Sequence, residues 1–316
     1  MNAAPGLCVI GTGAIAADHM IALDHLGMKD RPWVVSRRPE AAEEFAGNWQ
    51  FERWSTRPDE ALEDARVSLV IITSPNALHA EQASMALRAG KDVVLEIPAS
   101  LTLPDVENLS RLSNETGRRL FVCHTMRSFP AIREVRRRME TRELQISQIL
   151  GFFAVPRRHN QGWSGPRSWA DNILWHHACH QVDATLWVLG TDHVSKLRCL
   201  EGESHDDLAM VMDLSLGFSC GDDVVVSHSL TYNSDHLLWE LRFIGREVTV
   251  VFRNGALLDE EGRELVPEHS IRDLGTQDEE ILDALATGSP CSFDIDSVLP
   301  AYRVLHELET ISGVVG

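Results

Sequence analysis

The chain has 316 residues, enough for two domains that each bury a core, and its 44% hydrophobic and 24% charged content is that of a soluble globular protein. A net charge of −18 excludes nucleic acid and anionic membranes as partners, because phosphate-bearing surfaces require a basic face. A small anionic substrate is still allowed, since a few arginines in one cleft reverse the field locally.

Leu7-Cys8-Val9-Ile10 predicts a first strand, followed by Gly11-Thr12-Gly13-Ala14-Ile15-Ala16 and a helical pattern to about Gly27. G-x-G-x-x-A between a strand and a helix is a dinucleotide fingerprint. The first glycine makes a tight turn, the second lets a pyrophosphate approach the backbone, and the third small residue lets helix pack on strand. The next strand, Trp33-Val34-Val35, ends at Ser36-Arg37-Arg38. A carboxylate there would hold the 2′-hydroxyl of NAD; a serine and two arginines instead favour the 2′-phosphate of NADP, with NAD possible. The competing account is two solvated arginines opening a surface helix. Val67 to Ile72 and Lys91 to Pro98 predict further buried strands, with a helix from about His79 to Ala89 between them. Ligands of open α/β sheets lie beyond the carboxyl ends of strands, so Thr73, Ser74, Asn76 and His79, with Glu96 and Ile97, are expected to border the cofactor. A helix near 104–116 and the strand Arg119 to Val122 complete a doubly wound parallel pattern. Residues 1–122 are thus expected to form a Rossmann dinucleotide-binding domain.

Residues 123–316 are expected to form a substrate-binding and oligomerisation domain of α/β type with an open, largely antiparallel sheet. A basic helix from Pro130 to about Thr141 and a strand from Gln148 to Val155 come first. Pro166 to Asp183 then gathers three histidines, an arginine and two tryptophans. At 100° per residue Leu174, Ala178, Val182, Leu186 and Leu189 share one helix face, and His176, His180, Asp183 and Trp187 the other. Ser168 and Asp171 read as a capping box, which starts the helix just after Ser168. Period-2 alternation from Leu208 to Leu216, then Val224 to Tyr232, Leu238 to Phe243, Glu247 to Phe252 and Ala256 to Leu258, predicts a run of antiparallel strands. Two helices, about 277–287 and 296–311, close the chain. The six cysteines form no CxxC pair, no signal-peptide pattern precedes the first strand and no run reaches membrane-span length, so a cytoplasmic protein with reduced thiols is expected.

Gly11-Thr12-Gly13, Ser74-Pro75-Asn76-Ala77-Leu78-His79, Gly90-Lys91, Glu96-Ile97-Pro98 and His180-Gln181-Val182-Asp183 resemble the glucose–fructose oxidoreductase and inositol dehydrogenase family over nearly the whole chain. The resemblance implies a nicotinamide cofactor, a substrate domain whose open sheet makes a homodimer or homotetramer, and retention of His180 as a site residue. Family members usually carry E-K-P where this chain has Glu96-Ile97-Pro98, and an aspartate where it has His176. Two customary catalytic groups are therefore replaced. His124-Thr125-Met126-Arg127, Pro166-Arg167-Ser168-Trp169 and Trp175-His176-His177-Ala178-Cys179-His180 are similar to one branch, the carboxy-hydroxymuconate semialdehyde dehydrogenases of bacterial protocatechuate and lignin-aromatic catabolism. That resemblance implies oxidation of a cyclic hemiacetal to the lactone 2-pyrone-4,6-dicarboxylate with NADP, hence a dicarboxylate substrate.

Such an oxidation needs a base for the hydroxyl. A histidine is suited to it, so His180 is expected as acid/base, with His176 orienting the hydroxyl or relaying the proton. Arg127, Arg157, Arg158 and Arg167 are candidate carboxylate donors, with His124 and Asp183 beside them. Asp183 equally suits fixing an imidazole, and Trp169 covering the nicotinamide or packing in a core. The helix histidines have a plain alternative as hydrogen-bonded core residues. Their i, i+4 spacing also fits a metal site, but no H-E-x-x-H pattern or third ligand accompanies it, so no metal is expected. Two other functions compete: a dehydrogenase of a sugar, cyclitol or other cyclic alcohol, and a non-catalytic NADP-binding regulatory protein.

Overall fold

The computed structural model describes residues 5–157, 172–205, 210–221 and 223–312, with the backbone of the strand pairs Gln161–Gly162 and Gly165–Pro166. Contacts divide the chain into two compact units, Met1–Cys123 with Arg272–Leu299, and His124–Ile271 with Pro300–Gly316. No helix among the described residues is long and apolar enough to cross a membrane.

In the first unit six strands, β1 (Gly6–Ile10), β2 (Trp33–Val35), β3 (Arg53–Ser55), β4 (Val67–Ile72), β5 (Asp92–Leu95) and β6 (Leu120–Val122), lie in the order β3-β2-β1-β4-β5-β6. Every pairing is parallel. Strands that must be covered on both faces read as unbroken apolar runs, and all five residues of β1 are buried. Leu7, Val9, Val34, Leu69, Ile71 and Phe121 form one core with Ala16, Met20 and Leu23 of helix α1 (Ala14–His25). Fully burying each large apolar side chain contributes on the order of 2 kcal/mol. The chain order reverses at β1, where β2 lies on one side and β4 on the other, and this switch point is where such sheets receive ligands. Helices α2 (Pro39–Trp49), α3 (Pro58–Leu62), α4 (His79–Arg88) and α5 (Leu103–Thr116) join the strands. β3 is a strand the sequence reading did not contain.

The second unit carries an eight-stranded sheet in the order 194–201, 213–220, 224–231, β7 (Ile146–Pro156), 233–245, 249–253, 256–259 and 264–266. Only β7 with 224–231 is parallel, so the sheet is largely antiparallel. Alternation sorts β7 onto two faces: Ile149 and Phe153 are buried, whereas Leu150 and Phe152 keep 38% and 39% of their surface exposed. Helix α6 (Pro130–Glu140) packs on helix α7 (Cys179–Leu189). α7 is entered through a π turn, Ile173–Ala178. The expected cap, Ser168 with Asp171, lies outside the described residues; Asn172 caps the π turn, its Oδ1 accepting from the amides of Leu174 and Trp175, both at 3.0 Å. The chain closes with helices α8 (Gly275–Thr287) and α9 (Ile295–Ser312).

Candidate active site

At the carboxyl end of β1, Gly11 has φ +116°, and a Cβ there would stand 2.5 Å from Thr73 Oγ1, so only glycine makes this turn. Gly13 precedes α1 with no side-chain cap, and a Cβ on it would meet nothing within 4 Å. The first-turn amides beside Ala14 and Ile15 therefore have open space and no capping side chain, which is the arrangement that receives a pyrophosphate. Thr12 Oγ1 donates to Ser36 Oγ at 3.1 Å, tying this turn to the end of β2. Arg37 and Arg38 are exposed just ahead of α2. Thr73 and Asn76 are buried at the end of β4, and Ser74 Oγ donates to Gln82 Oε1 at 2.6 Å. His79 is buried with its ring nitrogens 2.8 Å from Ser74 O and 2.8 Å from Pro98 O, bracing the loops that hold Ser74 and Glu96. Ile97 is buried, where a lysine would have placed a charge.

Glu96 has partners that sequence reading did not supply. His19 of α1 is fully buried, with Nε2 3.1 Å from Glu96 Oε1 and Nδ1 2.9 and 3.1 Å from the two oxygens of Asp278 in α8. Burial opposes a charged imidazole, but the attraction and hydrogen bonding of Asp278, joined by Cys123 and Glu96, outweigh it and hold the His19 pKa well above the ordinary range. The signal was present: His19 falls beside Met20 on the buried stripe of α1, a polar residue at a core position.

The second unit brings His124, Arg127, Asp183 and His180 together. Arg127 donates through Nε and Nη2 to the two oxygens of Asp183, at 2.8 and 2.6 Å, and both residues are buried. His124 Nδ1 lies 3.6 Å from Asp183 Oδ2, and its Nε2 is 3.1 Å from the hydroxyl of Tyr302, a residue sequence reading had not singled out. The His124 and His180 rings meet edge to face at 6.5 Å, and Trp239 lies 5.3 Å from His180 on another side. His180 is half-buried as a residue, yet its Nδ1 is sealed from solvent and has no hydrogen-bond partner among the described residues. Burial, then the charges of His124 and His176, push its pKa down to about 3. His176, half-buried in the π turn, is therefore within electrostatic reach of His180. His177 is 2.7 Å from the Tyr232 hydroxyl and stacks on Phe153, while Arg157 sits over the Tyr232 ring. Arg158, Arg167 and Trp169 lie outside the described residues.

Two family models match, "Oxidoreductase family, NAD-binding Rossmann fold" over residues 6–124 and "Bacterial oxidoreductases, C-terminal" over 130–267. The 4-carboxy-2-hydroxymuconate-6-semialdehyde dehydrogenase of a Sphingobium strain is 32% identical over 310 residues, covering 96% of this chain and 97% of that enzyme. The chain belongs to the glucose–fructose oxidoreductase and inositol dehydrogenase family. Within that family, the NAD(+)-dependent scyllo-inositol 2-dehydrogenase of Bacillus subtilis is 34% identical over 106 residues, covering 33% of this chain and 30% of that enzyme. A solved levoglucosan dehydrogenase, in complex with NADH and L-sorbose, superposes with a TM-score of 0.85 at 16% identity, covering 98% of this chain and 96% of that one, a likeness of fold. As a member of this family the protein is an NAD(P)-dependent dehydrogenase of a small molecule.

Proposed function

We propose that the protein is an NADP-dependent dehydrogenase that oxidises the cyclic hemiacetal of 4-carboxy-2-hydroxymuconate-6-semialdehyde to 2-pyrone-4,6-dicarboxylate. The observation that carries this reading is identity to the Sphingobium enzyme along nearly the full length of both chains. The open turn at Gly13 and the uncapped start of α1 fit a dinucleotide pyrophosphate. When bound, the nicotinamide supplies the hydride acceptor. Two arginines at the start of α2 oppose the positive end of that helix, and a 2′-phosphate beside them removes the conflict, which supports NADP.

In the reaction the carbon loses a hydride, the hydroxyl loses its proton, and the ring carbon becomes the lactone carbonyl. We assign the proton to His180, which is neutral at physiological pH and whose Nδ1 has no partner among the described residues. A dianionic substrate beside three imidazoles raises their proton affinity, so the substrate's own carboxylates make His180 a stronger base. His176 takes the place of the family aspartate as orienting group. Arg127 and Asp183 are joined beside His124, and Arg127, Arg157 and Arg167 are the donors offered to the substrate carboxylates. The apolar outer face at Leu150, Phe152 and Val225 is assigned to self-association into a dimer or tetramer.

The experiment is a screen of purified protein with the cyclised semialdehyde, scyllo-inositol and neutral sugars, each with NADP and NAD, followed by reduced-cofactor absorbance. Turnover of the semialdehyde with NADP preferred is expected. Turnover of a cyclitol or sugar alone would reassign the substrate, and tight NADP binding with no turnover would make the protein a cofactor-binding module.

A further inference from the structure

We propose that His19, held from behind by Asp278, is a positioning residue that fixes Glu96 for contact with the dinucleotide. The proposal rests on the reading of Glu96 as a cofactor-site residue.

Both nitrogens of the His19 ring face carboxylate oxygens at 2.9 to 3.1 Å, a geometry that asks both to donate and so describes an imidazolium. Asp278 is buried, and its side-chain partners are His19 and the neighbouring Gln277 amide at 3.3 Å. A buried carboxylate needs a compensating charge, and here the imidazolium provides it. The pair is then neutral, and the charge of Glu96 is left over. Glu96 is the outermost of the three, with 13% of its side chain exposed. Its Oε1 is held by His19, which leaves Oε2 to accept from a donor on the dinucleotide. Glu96 follows β5, one strand from the switch point, so its orientation decides what the end of that strand presents. In this chain the next residue is Ile97, and the orientation is set by His19 from within.

The same atoms admit a rival occupant. His19, Glu96 and Cys123 offer ligand atoms that lie within 4.8 Å of one another, the makings of a metal site. A metal would require a lone pair on the nitrogen that faces Glu96 and a thiolate on Cys123. Burial, then the charge of Glu96, pushes the Cys123 thiol pKa far up, against thiolate formation. The geometry therefore points to a proton.

The test compares dinucleotide affinity of the full chain with His19→Gln, Asp278→Asn, Glu96→Gln and the double variant His19→Gln/Glu96→Gln, by fluorescence titration with NADPH, alongside thermal unfolding. Each single variant is expected to weaken binding roughly tenfold, the value of one hydrogen bond to a charged group. In the Glu96→Gln background, His19→Gln is expected to add less than about twofold, because its effect runs through Glu96. Additive losses, or a lowered melting temperature with unchanged affinity in the His19 and Asp278 variants, would overturn the proposal. If Glu96→Gln itself binds normally, the cofactor-site reading of Glu96 fails and the proposal with it, whereas normal binding by the His19 and Asp278 variants alone leaves that reading intact. Stoichiometric metal lost on His19→Gln also overturns it. Asp278→Asn keeps the shape of its side chain and serves if His19→Gln does not fold.

Discussion

His180 owes its lowered pKa to burial first and then to the charges of His124 and His176. Replacing it by asparagine removes the base but leaves the first unit's dinucleotide cradle alone. We expect kcat to fall about 10²- to 10⁴-fold with cofactor affinity unchanged, as separate titration and turnover measurements will show. Asp183 has the opposite problem, because its charge is fully buried and the Arg127 guanidinium depends on it. Asp183→Asn removes the buried charge that Arg127 grips with two hydrogen bonds and is expected to cost about 3–5 kcal/mol of stability by chemical denaturation. The family resemblance, more than any spacing, brought out His124, Arg127, His180 and Asp183 as candidates. It did not reveal that Arg127 and Asp183 would spend their charges on each other, since pairing across 56 positions has no local signature. Tyr302, 178 positions from His124, was hidden for the same reason.

The strands and helices expected in the first unit were legible almost to their ends, whereas the strand expected from Leu208 to Leu216 is split, Met210–Val211 pairing with Ser204–His205 and Asp213–Cys220 joining the eight-stranded sheet. Among the strands with no sequence expectation, Arg53–Ser55 is three residues long with two exposed, and Val194–Glu201 and Glu264–Val266 are the two edges of the eight-stranded sheet, with mixed or exposed burial. Weak patterning is what an edge permits. In the centre of the same sheet, Gly151 of β7 stands opposite His228, and a Cβ on it would come 2.0 Å from His228 Nδ1 and 2.8 Å from Leu241. His228 is anchored through Nε2, 3.1 Å from Thr185 Oγ1 of α7, and cannot swing aside cheaply. Gly151→Ala is therefore expected to destabilise by roughly 2–3 kcal/mol in denaturant titration. The π turn ahead of α7 was not legible, because its extra residue leaves the apolar spacing nearly helical.

At the scale of the whole molecule, three histidines, His228, His180 and His19, set opposite pH dependences. Burial pushes His228 down to about 3, and burial with neighbouring imidazoles does the same to His180. Below an unfolded value of about 6.5 the unfolded chain takes up protons that these two refuse when folded. Stability is thus fully present above that pH and falls as pH drops toward 3, by roughly 1.4 kcal/mol per pH unit for each histidine. His19 is raised, so its contribution is complete below about 6.5 and is lost as pH climbs through its folded pKa. Melting temperature measured against pH should decline on the acid side, and His228→Gln with His180→Asn should flatten that limb while leaving the alkaline one. The same His19 ties the molecule to the order in which it is made. Its partner Asp278 lies 259 positions downstream. At about 5–20 residues per second, roughly 13 to 50 s of translation separate the two. Once Val122 has been made, the nascent first unit holds His19 facing Glu96 alone, so a chain stopped before Arg272 leaves the ribosome with its sheet strands complete and the inner nitrogen of that imidazole without its carboxylate.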